Sequence, residues 1–159
     1  DDPIWLKGSG AGSDHLALHD RHSITQMSAT QKAVAQAYKS SGVSARDIDL
    51  AEVHDCFTIA ELMATEDLGF ANRGEGGLFA RQGRGRRNEG DVAINPSGGL
   101  KSKGHPLGAT GTGQAVEVFK QLKGTVESAR QIRDAEIGLT HNVGGSGATC
   151  AVHIFGRDR

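Results

Sequence analysis

Residues 50–68, LAEVHDCFTIAELMATEDL, predict a buried strand that leads directly into a helix. The run at 50–54 is short and largely apolar, which is typical of a strand inside a sheet. At 58–68 the apolar side chains recur with helical spacing. The four residues HDCF at 54–57 therefore lie at a strand-to-helix junction, where helix N-terminal amides lower the cost of negative charge.

The segments on either side extend this unit into an alternating pattern of strands and helices. Apolar spacing predicts helices at 28–40 and 112–123, and strands at 4–6, 135–140 and 148–155. The resulting order, β-α-β-α-loop-α-β-β, favours a layered α/β sheet with parallel neighbours. An antiparallel hairpin, with its glycine-rich turn at 141–147, is expected to close the sheet.

Glycine is unusually frequent, with 23 of 159 residues, and it clusters at 8–12, 69–90, 98–113 and 138–147. Because glycine lacks a Cβ, such clusters indicate special backbone conformations or close approach, and we expect loops. The segment 69–90 has no periodicity and is predicted to be a surface excursion, of a length that is usually functional or mobile. Its basic run at 83–87 could bind phosphate, although such runs are usually solvated.

Size and composition limit the classes of function. The 159 residues suit one domain, and a net charge of −1 provides no basic surface for nucleic acid or an anionic membrane. We expect neither partner. There is no apolar run of about 18 residues, as a membrane span needs, and no signal-peptide pattern. Two cysteines are too few for a disulfide framework, which favours a reducing, cytoplasmic location.

Three segments place a histidine or cysteine where a predicted strand ends or a helix begins: HDC at 54–56, GHP at 104–106 and HNVGG at 141–145. In open α/β sheets, ligands bind beside the ends of strands. We therefore expect these three segments to converge on one site.

Each candidate residue also has a plainer interpretation. Cys56 could be a nucleophile or an acid/base group, because a thiol beside an imidazole at a helix start favours its thiolate, or it could be a buried structural thiol. His105, fixed between glycine and proline, could act as a general base or an oxyanion donor, or could be a surface histidine. His54 and His141 could simply donate hydrogen bonds at strand ends.

No resident metal or cofactor is predicted. His15, His19 and His22 would share one helix face, which suggests a metal site, but they lack a cysteine or carboxylate partner set and look solvated. GTGQ at 111–114 lacks the spacing and the downstream acid of a dinucleotide fingerprint.

Three longer stretches resemble the thiolase family: AEVHDCFTIAEL at 51–62, NPSGGLKSKGHPLGATG at 95–111 and HNVGGSGA at 141–148. The resemblance is to the branch of sterol-carrier-protein-type thiolases and archaeal-type acetyl-CoA acetyltransferases. It implies that residues 1–159 form the C-terminal half of a thiolase-like fold. Two such halves pack into a layered α/β/α/β/α body, and the active site lies between them.

The resemblance also implies a reaction, the reversible Claisen condensation of acyl-CoA or thiolysis of a 3-ketoacyl-CoA, with coenzyme A as a substrate and a role in lipid metabolism. A cysteine of the N-terminal half would accept the acyl group. By likeness to the family, His105 would activate that cysteine, and His54 and His105 would hold the thioester oxygen.

Two positions follow the branch rather than most thiolases. HDCF stands where most members have an Asn-Glu motif, so the resemblance assigns acid/base chemistry at the substrate α-carbon to Cys56. His141 stands where most have a second catalytic cysteine, beside an expected oxyanion site. The backbone amides of Val143 and Gly144 are the candidate donors there.

The acyl-accepting cysteine is the missing part. No cysteine precedes Cys56, and Cys150 lies in the final predicted strand and looks like core. The chain also begins at Asp1 without a methionine. We therefore expect a domain of a longer protein, or a chain whose N-terminal half is supplied separately, and no activity from this chain alone.

The sequence leaves two other functions open. One is a thiolase-like carbon–carbon lyase that performs a retro-aldol cleavage of an acyl-CoA, against which the presence of Cys56 argues. The other is a non-catalytic thiolase-like domain that binds an acyl-CoA or a partner. The resemblance further implies a homodimer or tetramer and, in archaeal-type relatives, a zinc-containing partner with an OB fold.

Overall fold

A computed structural model describes residues 3–158 as one five-stranded mixed sheet with helices on both faces. The strands are β1 (Trp5–Ser13), β2 (Leu50–Glu52), β3 (Ala93–Ile94), β4 (Ile137–Gly144) and β5 (Thr149–Gly156). The helices are α1 (Ser28–Ser41), α2 (Thr58–Asp67), α3 (Gly76–Arg81), α4 (Gly99–Lys103) and α5 (Thr110–Lys123). Short 3₁₀ turns lie at Leu18–Asp20, Ala45–Asp47 and Gly145–Gly147.

The strand order in the sheet is β1-β5-β4-β2-β3. β2 pairs in parallel with both β3 and β4, whereas β4–β5 and β5–β1 are antiparallel. This arrangement confirms the predicted layered α/β class with parallel neighbours and a closing hairpin. It also places the carboxyl ends of β2 and β4 side by side, which is the edge that the site occupies.

Each face of the sheet is covered by its own hydrophobic cluster. On one face, α1 packs small side chains such as Ala29 and Ala33 against Val152 and Ile154 of β5, with α2 and α3 completing the cluster. On the other face, Val118 and Leu122 of α5 pack with Leu50 and Ala93 of β2 and β3. The buried residues of α1 match the apolar stripe that predicted this helix. For α5 the predicted buried face was wrong: Val116 and Phe119, whose spacing predicted the helix, are each 46% exposed, and the buried side combines Val118 and Leu122 with polar residues such as Gln114.

The glycines at 8–12 do not form the expected loop, because they continue β1 to Ser13. A Cβ on Gly10 would lie 1.9 Å from the carbonyl oxygen of Ala33, and Gly8 and Gly12 are similarly close to the backbone of α1. The absence of side chains therefore lets α1 lie directly on the strand. Glycine here serves close packing rather than a turn.

The segment 69–90 was predicted to be a surface excursion without periodicity, and most of its residues are exposed, but the expectation of a plain loop was wrong. It contains α3, and Phe79 within that helix is only 2% exposed. Arg84 stacks over the Phe79 ring at 5.1 Å and pairs with Asp91 at 2.7 Å. Gly76 approaches the carbonyl oxygen of Leu62, so α3 packs closely on α2.

Two other features also differ from the prediction. The turn of the hairpin is only 145–147, because β4 continues through His141 to Gly144. The helix α4 within the glycine-rich segment 98–113 was not predicted. The end of α1 at Gly42, by contrast, is confirmed, with φ of +73°. Within residues 3–158, no helix has the length and apolarity needed to cross a membrane.

Candidate functional site

A large pocket lies at the carboxyl ends of β2 and β4 and has a volume of about 660 Å³. Its walls include residues from all three predicted segments: His54, Cys56, Phe57, His105, Asn142 and Gly144. This confirms that the three segments converge. The topology explains why, because β2 and β4 are parallel neighbours and the segment that precedes α5 returns to the same edge.

His54 and His105 form the centre of this pocket. Their ring centroids are 4.8 Å apart, and the rings stand nearly perpendicular at 85°. His54 is only 5% exposed. Burial lowers the pKa of His54 below its ordinary value, and the neighbouring His105 lowers it further, while Asp55 opposes the shift. This shift favours the neutral imidazole of His54.

His105 is held by the first residue of α5. The turn before it requires φ of +82° at Gly104, and the ring Nδ1 lies 2.6 Å from the Thr110 hydroxyl. That hydroxyl also lies 3.2 Å from the carbonyl oxygen of Pro106, which can only accept. In the arrangement that satisfies both contacts, the hydroxyl donates to Pro106 and accepts from His105 Nδ1–H, and the lone pair of the neutral ring lies on Nε2.

Cys56 is exposed between β2 and α2 and lines the same pocket. Its exposure excludes the interpretation as a buried structural thiol. The preceding Asp55 is fixed in place because its carboxylate accepts the Leu100 amide at 2.9 Å. Gly99, with φ of +67°, makes room for it, since a Cβ there would lie 2.1 Å from that carboxylate. The start of α4 thus positions the HDCF segment.

Glu61, one turn into α2, is a second carboxyl group near this segment. Burial raises the pKa of Glu61, and Asp55 raises it further, whereas a hydrogen bond from Asn95 lowers it. Asn95 Nδ2 donates to Glu61 at 2.9 Å, and Asn95 Oδ1 accepts the Val53 amide at 2.8 Å. Asn95 thereby joins the end of β2 to α2.

His141 occupies a different place from the one expected for a residue that contacts substrate. It is fully buried, with Nε2 2.9 Å from the Thr30 hydroxyl of α1 and Nδ1 accepting the His54 amide at 3.5 Å. Burial lowers the pKa of His141 to about 3. Its side chain therefore supports the backbone of His54 and does not line the pocket. A role of His141 at the oxyanion site stays a prediction.

Val143 and Gly144 lie on the pocket wall at the end of β4. The turn that follows is unusual because Gly145, Ser146 and Gly147 all have positive φ. Arg21 holds this turn by donating to the carbonyl oxygen of Ser146 at 2.8 Å. The amides of Val143 and Gly144 are therefore on a fixed edge of the pocket, and their role as oxyanion donors stays a prediction.

The histidines at 15, 19 and 22 are all exposed, and they do not share a helix face. Only a 3₁₀ turn, Leu18–Asp20, forms there. Among residues 3–158, no group of three or more His, Cys, Asp or Glu side chains is arranged to hold a metal ion.

Three residues of the site escaped the sequence-based prediction. Thr110 contacts His105, Asn142 Nδ2 lies 3.2 Å from His54 Nδ1, and Gln114 bonds to Asn142 at 3.2 Å. Thr110 and Gln114 belong to α5, where they look like ordinary polar positions beside the apolar stripe. Asn142 could have been found from its place in the HNVGG segment, directly after His141.

This fold is that of a thiolase-type domain. The family model "Thiolase C-terminal domain-like" matches residues 10–157, and the chain belongs to that family. The chain is 53% identical over 157 residues to an acetyl-CoA acetyltransferase of Methanothermobacter thermautotrophicus, covering 99% of this chain and 40% of that protein. It is 44% identical over 119 residues to sterol carrier protein 2 of Bos taurus, covering 75% of this chain and 22% of that protein.

A solved structure, the "Ltp2-ChsH2(DUF35) aldolase", superposes with a TM-score of 0.84 at 27% identity. The match covers 99% of this chain and 40% of that one. This chain thus spans about two fifths of the length of the acetyl-CoA acetyltransferase and of the aldolase chain.

Proposed function

We propose that this chain supplies the acid/base and oxyanion-binding half of a thiolase-type acyl-CoA acyltransferase. The observation that carries the proposal is the meeting of His54, Cys56 and His105 in one pocket at the sheet edge. The reaction class is supported by the acetyl-CoA acetyltransferase whose sequence matches 99% of this chain. The acyl-accepting cysteine would come from an N-terminal domain, and the isolated chain would be inactive.

In this proposal, His105 begins the reaction as a base. Its Nε2 lone pair, left free by the Nδ1–Thr110 hydrogen bond, would accept the proton of the acyl-accepting thiol. Protonated His105 would then carry an N–H at Nε2. Together with His54 it would donate to the oxygen on which negative charge develops.

Cys56 would exchange a proton with the α-carbon. In thiolysis, the thiolate of the N-terminal domain attacks C3 of the 3-ketoacyl-CoA, and the C2–C3 bond breaks with its electron pair left on C2. The Cys56 thiol would give its proton to C2, which releases acetyl-CoA, while the acyl group stays on the other sulfur. Proton exchange with solvent then returns His105 to its neutral form and Cys56 to its thiol. The thiol of coenzyme A gives its proton to His105, its sulfur takes the acyl group, and the released thiolate of the N-terminal domain recovers that proton. The condensation reverses these steps, with Cys56 thiolate removing the α-proton.

The mouth of the pocket supports the proposal of a covering domain. Phe57 is 74% exposed, Ile59 60% and Leu107 82%, and all three line the pocket. Contiguous exposed apolar surface of this kind marks an interaction or ligand surface. In a complete protein, the N-terminal domain and the acyl-CoA would cover it. A homodimer or tetramer, a zinc-containing OB-fold partner and a cytoplasmic location stay predictions.

A second candidate is a carbon–carbon lyase, which the structural likeness to the Ltp2–ChsH2 aldolase favours. Such an enzyme would cleave a 3-hydroxyacyl-CoA to an aldehyde or ketone and a shorter acyl-CoA without free coenzyme A. The exposed Cys56 thiol in the pocket favours the acyltransferase. The substrate requirement separates the two functions.

The experiment is thiolysis of acetoacetyl-CoA by the complete protein. Cys56→Ala is expected to lower kcat by about 10²–10⁴, the range for loss of a general acid/base. Cys150→Ala, which removes the buried thiol of β5, controls for loss of a cysteine, and exposed His19→Asn is the surface control. Full turnover by Cys56→Ala, or cleavage of a 3-hydroxyacyl-CoA with no thiolysis, would overturn the proposal.

A further inference from the structure

We infer that Gln114 and Asn142 are positioning residues that fix the tautomer of His54, so that its ring proton sits on Nε2. The inference rests on the proposed function for its catalytic consequence. The tautomer itself follows from hydrogen bonds alone and can be measured without turnover.

The backbone carbonyl of His141 fixes which end of the Gln114 amide is the donor. The backbone carbonyl of His141 can only accept a hydrogen bond. Gln114 Nε2 lies 3.0 Å from that oxygen and must be the donor. The orientation of the Gln114 amide is thereby fixed, and its Oε1 faces Asn142 as an acceptor.

The orientation of the Gln114 amide in turn fixes the orientation of the Asn142 amide. Gln114 Oε1 lies 3.2 Å from Asn142 Nδ2, so the amide nitrogen of Asn142 is the group on that side. The same nitrogen lies 3.2 Å from His54 Nδ1. Asn142 Nδ2 carries two protons, and one serves each of these partners.

His54 Nδ1 consequently accepts a hydrogen bond and cannot carry a proton in the neutral ring. The proton of neutral His54 then lies on Nε2. Burial favours the neutral form, as the lowered pKa of His54 indicates. The ring therefore offers an N–H donor to the pocket, as an oxyanion site requires.

Burial makes this polarity hard to reverse. Gln114 is fully buried, as is His141. Turning the Gln114 amide over would point its oxygen at the His141 carbonyl and its nitrogen at the Asn142 nitrogen. Both hydrogen bonds of the Gln114 amide would be lost, and buried polar groups would be left without partners at a cost in free energy.

The two pocket histidines thus have opposite polarity before the reaction begins. Thr110 leaves His105 with a lone pair on Nε2, whereas Asn142 leaves His54 with a proton on Nε2. One ring can accept the proton of the acyl-accepting thiol while the other donates to the substrate oxygen. A different neighbour, rather than a different residue type, assigns each role.

Asn142→Asp is the most direct test because it changes a donor into an acceptor with almost no change in shape. The carboxylate would accept from His54 Nδ1–H, and neutral His54 would lose its Nε2 proton. Protonated His54 would regain an Nε2–H at low pH. The other titratable groups around His54 are His105, Asp55 and buried His141, and all three are retained in the variant.

In the complete protein with ring-¹⁵N histidine, NMR is expected to show neutral His54 protonated on Nε2 in the wild type and on Nδ1 in Asn142→Asp. The signal is assigned by its loss in His54→Asn. The thiolysis kcat of Asn142→Asp at pH 8.5 should fall by about 10²–10³, as for loss of one oxyanion donor. The ratio of wild-type to variant kcat should shrink as the pH is lowered towards 6.

Gln121→Met is the matched control for the loss of a buried glutamine of α5. Gln121 is 1% exposed and bonds to Glu117, Arg130 and Ile132 rather than to pocket residues. The Gln121→Met variant should be less stable than the wild type and keep the wild-type His54 tautomer. Gln114→Met should instead show a mixture of His54 tautomers.

A wild-type His54 protonated on Nδ1 would overturn the inference, and this measurement does not depend on any variant folding. A pH-independent loss of kcat in Asn142→Asp would also overturn it, since that is the signature of structural damage. If the wild type has the expected tautomer but performs no thiolysis, the proposed function fails and the positioning by Gln114 and Asn142 stands.

Discussion

Glycine has different structural roles on the α1 side of the sheet and at the pocket edge. Along β1, glycine removes side chains so that α1 rests on the strand, with Ala33 against Gly10. At the pocket edge, glycines such as Gly99 and Gly104 adopt positive φ and orient the loops that carry Asp55 and His105. Dense packing on one side supports a rigid sheet, and turns at the other side place chemical groups.

The two cysteines show the same contrast. Cys150 of β5 is 5% exposed, and burial raises the pKa of its thiol to about 11, so it is an inert part of the core. Cys56 is exposed at the pocket edge. Identical side chains therefore have different chemistry because of the region in which they lie.

The largest effect is expected at the α1 side. Gly10→Ala would place a methyl group 1.9 Å from the Ala33 carbonyl oxygen, and separating α1 from β1 should cost more than about 3 kcal/mol of unfolding free energy. Gly77→Ala is the control, since a Cβ at this exposed position of α3 meets nothing within 4 Å. Chemical denaturation measures both, and equal stabilities for the two variants would contradict the described packing.

The next effect, which depends on pH, is expected from the buried histidine that joins the two regions. The folded-state pKa of His141 is about 3, against an ordinary value of 6.5. The unfolded chain therefore binds the extra proton, and stability is lost as pH falls below about 6.5, by up to about 1.4 kcal/mol per pH unit down to about pH 3. Between pH 7 and 4, the free energy of unfolding should fall less steeply with decreasing pH in His141→Gln than in exposed His19→Asn. Identical slopes would count against a neutral buried His141.

The smallest effect concerns the two thiols. Iodoacetamide should alkylate Cys56 at least about tenfold faster than Cys150 because only Cys56 is exposed. Acetyl-CoA should slow the reaction at Cys56 in the complete protein. Mass spectrometry of digested samples gives both rates. Faster reaction at Cys150 would contradict the contrast between pocket and core.

Much of the fold could be predicted because hydrophobic spacing indicates which segments form helices and strands. The helices α1, α2 and α5 and the strand before HDCF followed from that spacing, with boundaries within a few residues. The errors came from glycine, whose two uses look alike in a sequence. Gly8, Gly10 and Gly12 form a strand because α1 lies on them, and that contact is invisible until the two elements are placed together.

The candidate site was predictable as a set of segments but not as a set of contacts. His54, Cys56 and His105 each stand at an element boundary, so their convergence followed from the topology. The partners that set their chemistry come from elsewhere in the chain: Thr110 and Gln114 from a helix face, and Thr30 behind His141. No local pattern distinguishes such polar residues from solvated ones.

The central claim is that Cys56 handles the α-carbon proton and not the acyl transfer. The most direct measurement compares two reactions of the complete protein carrying Cys56→Ala. Exchange of labelled coenzyme A into acetyl-CoA needs only acyl transfer and should stay within about tenfold of wild type, while acetoacetyl-CoA formation should fall by about 10²–10⁴. Equal losses in both reactions, or no loss in either, would contradict the claim.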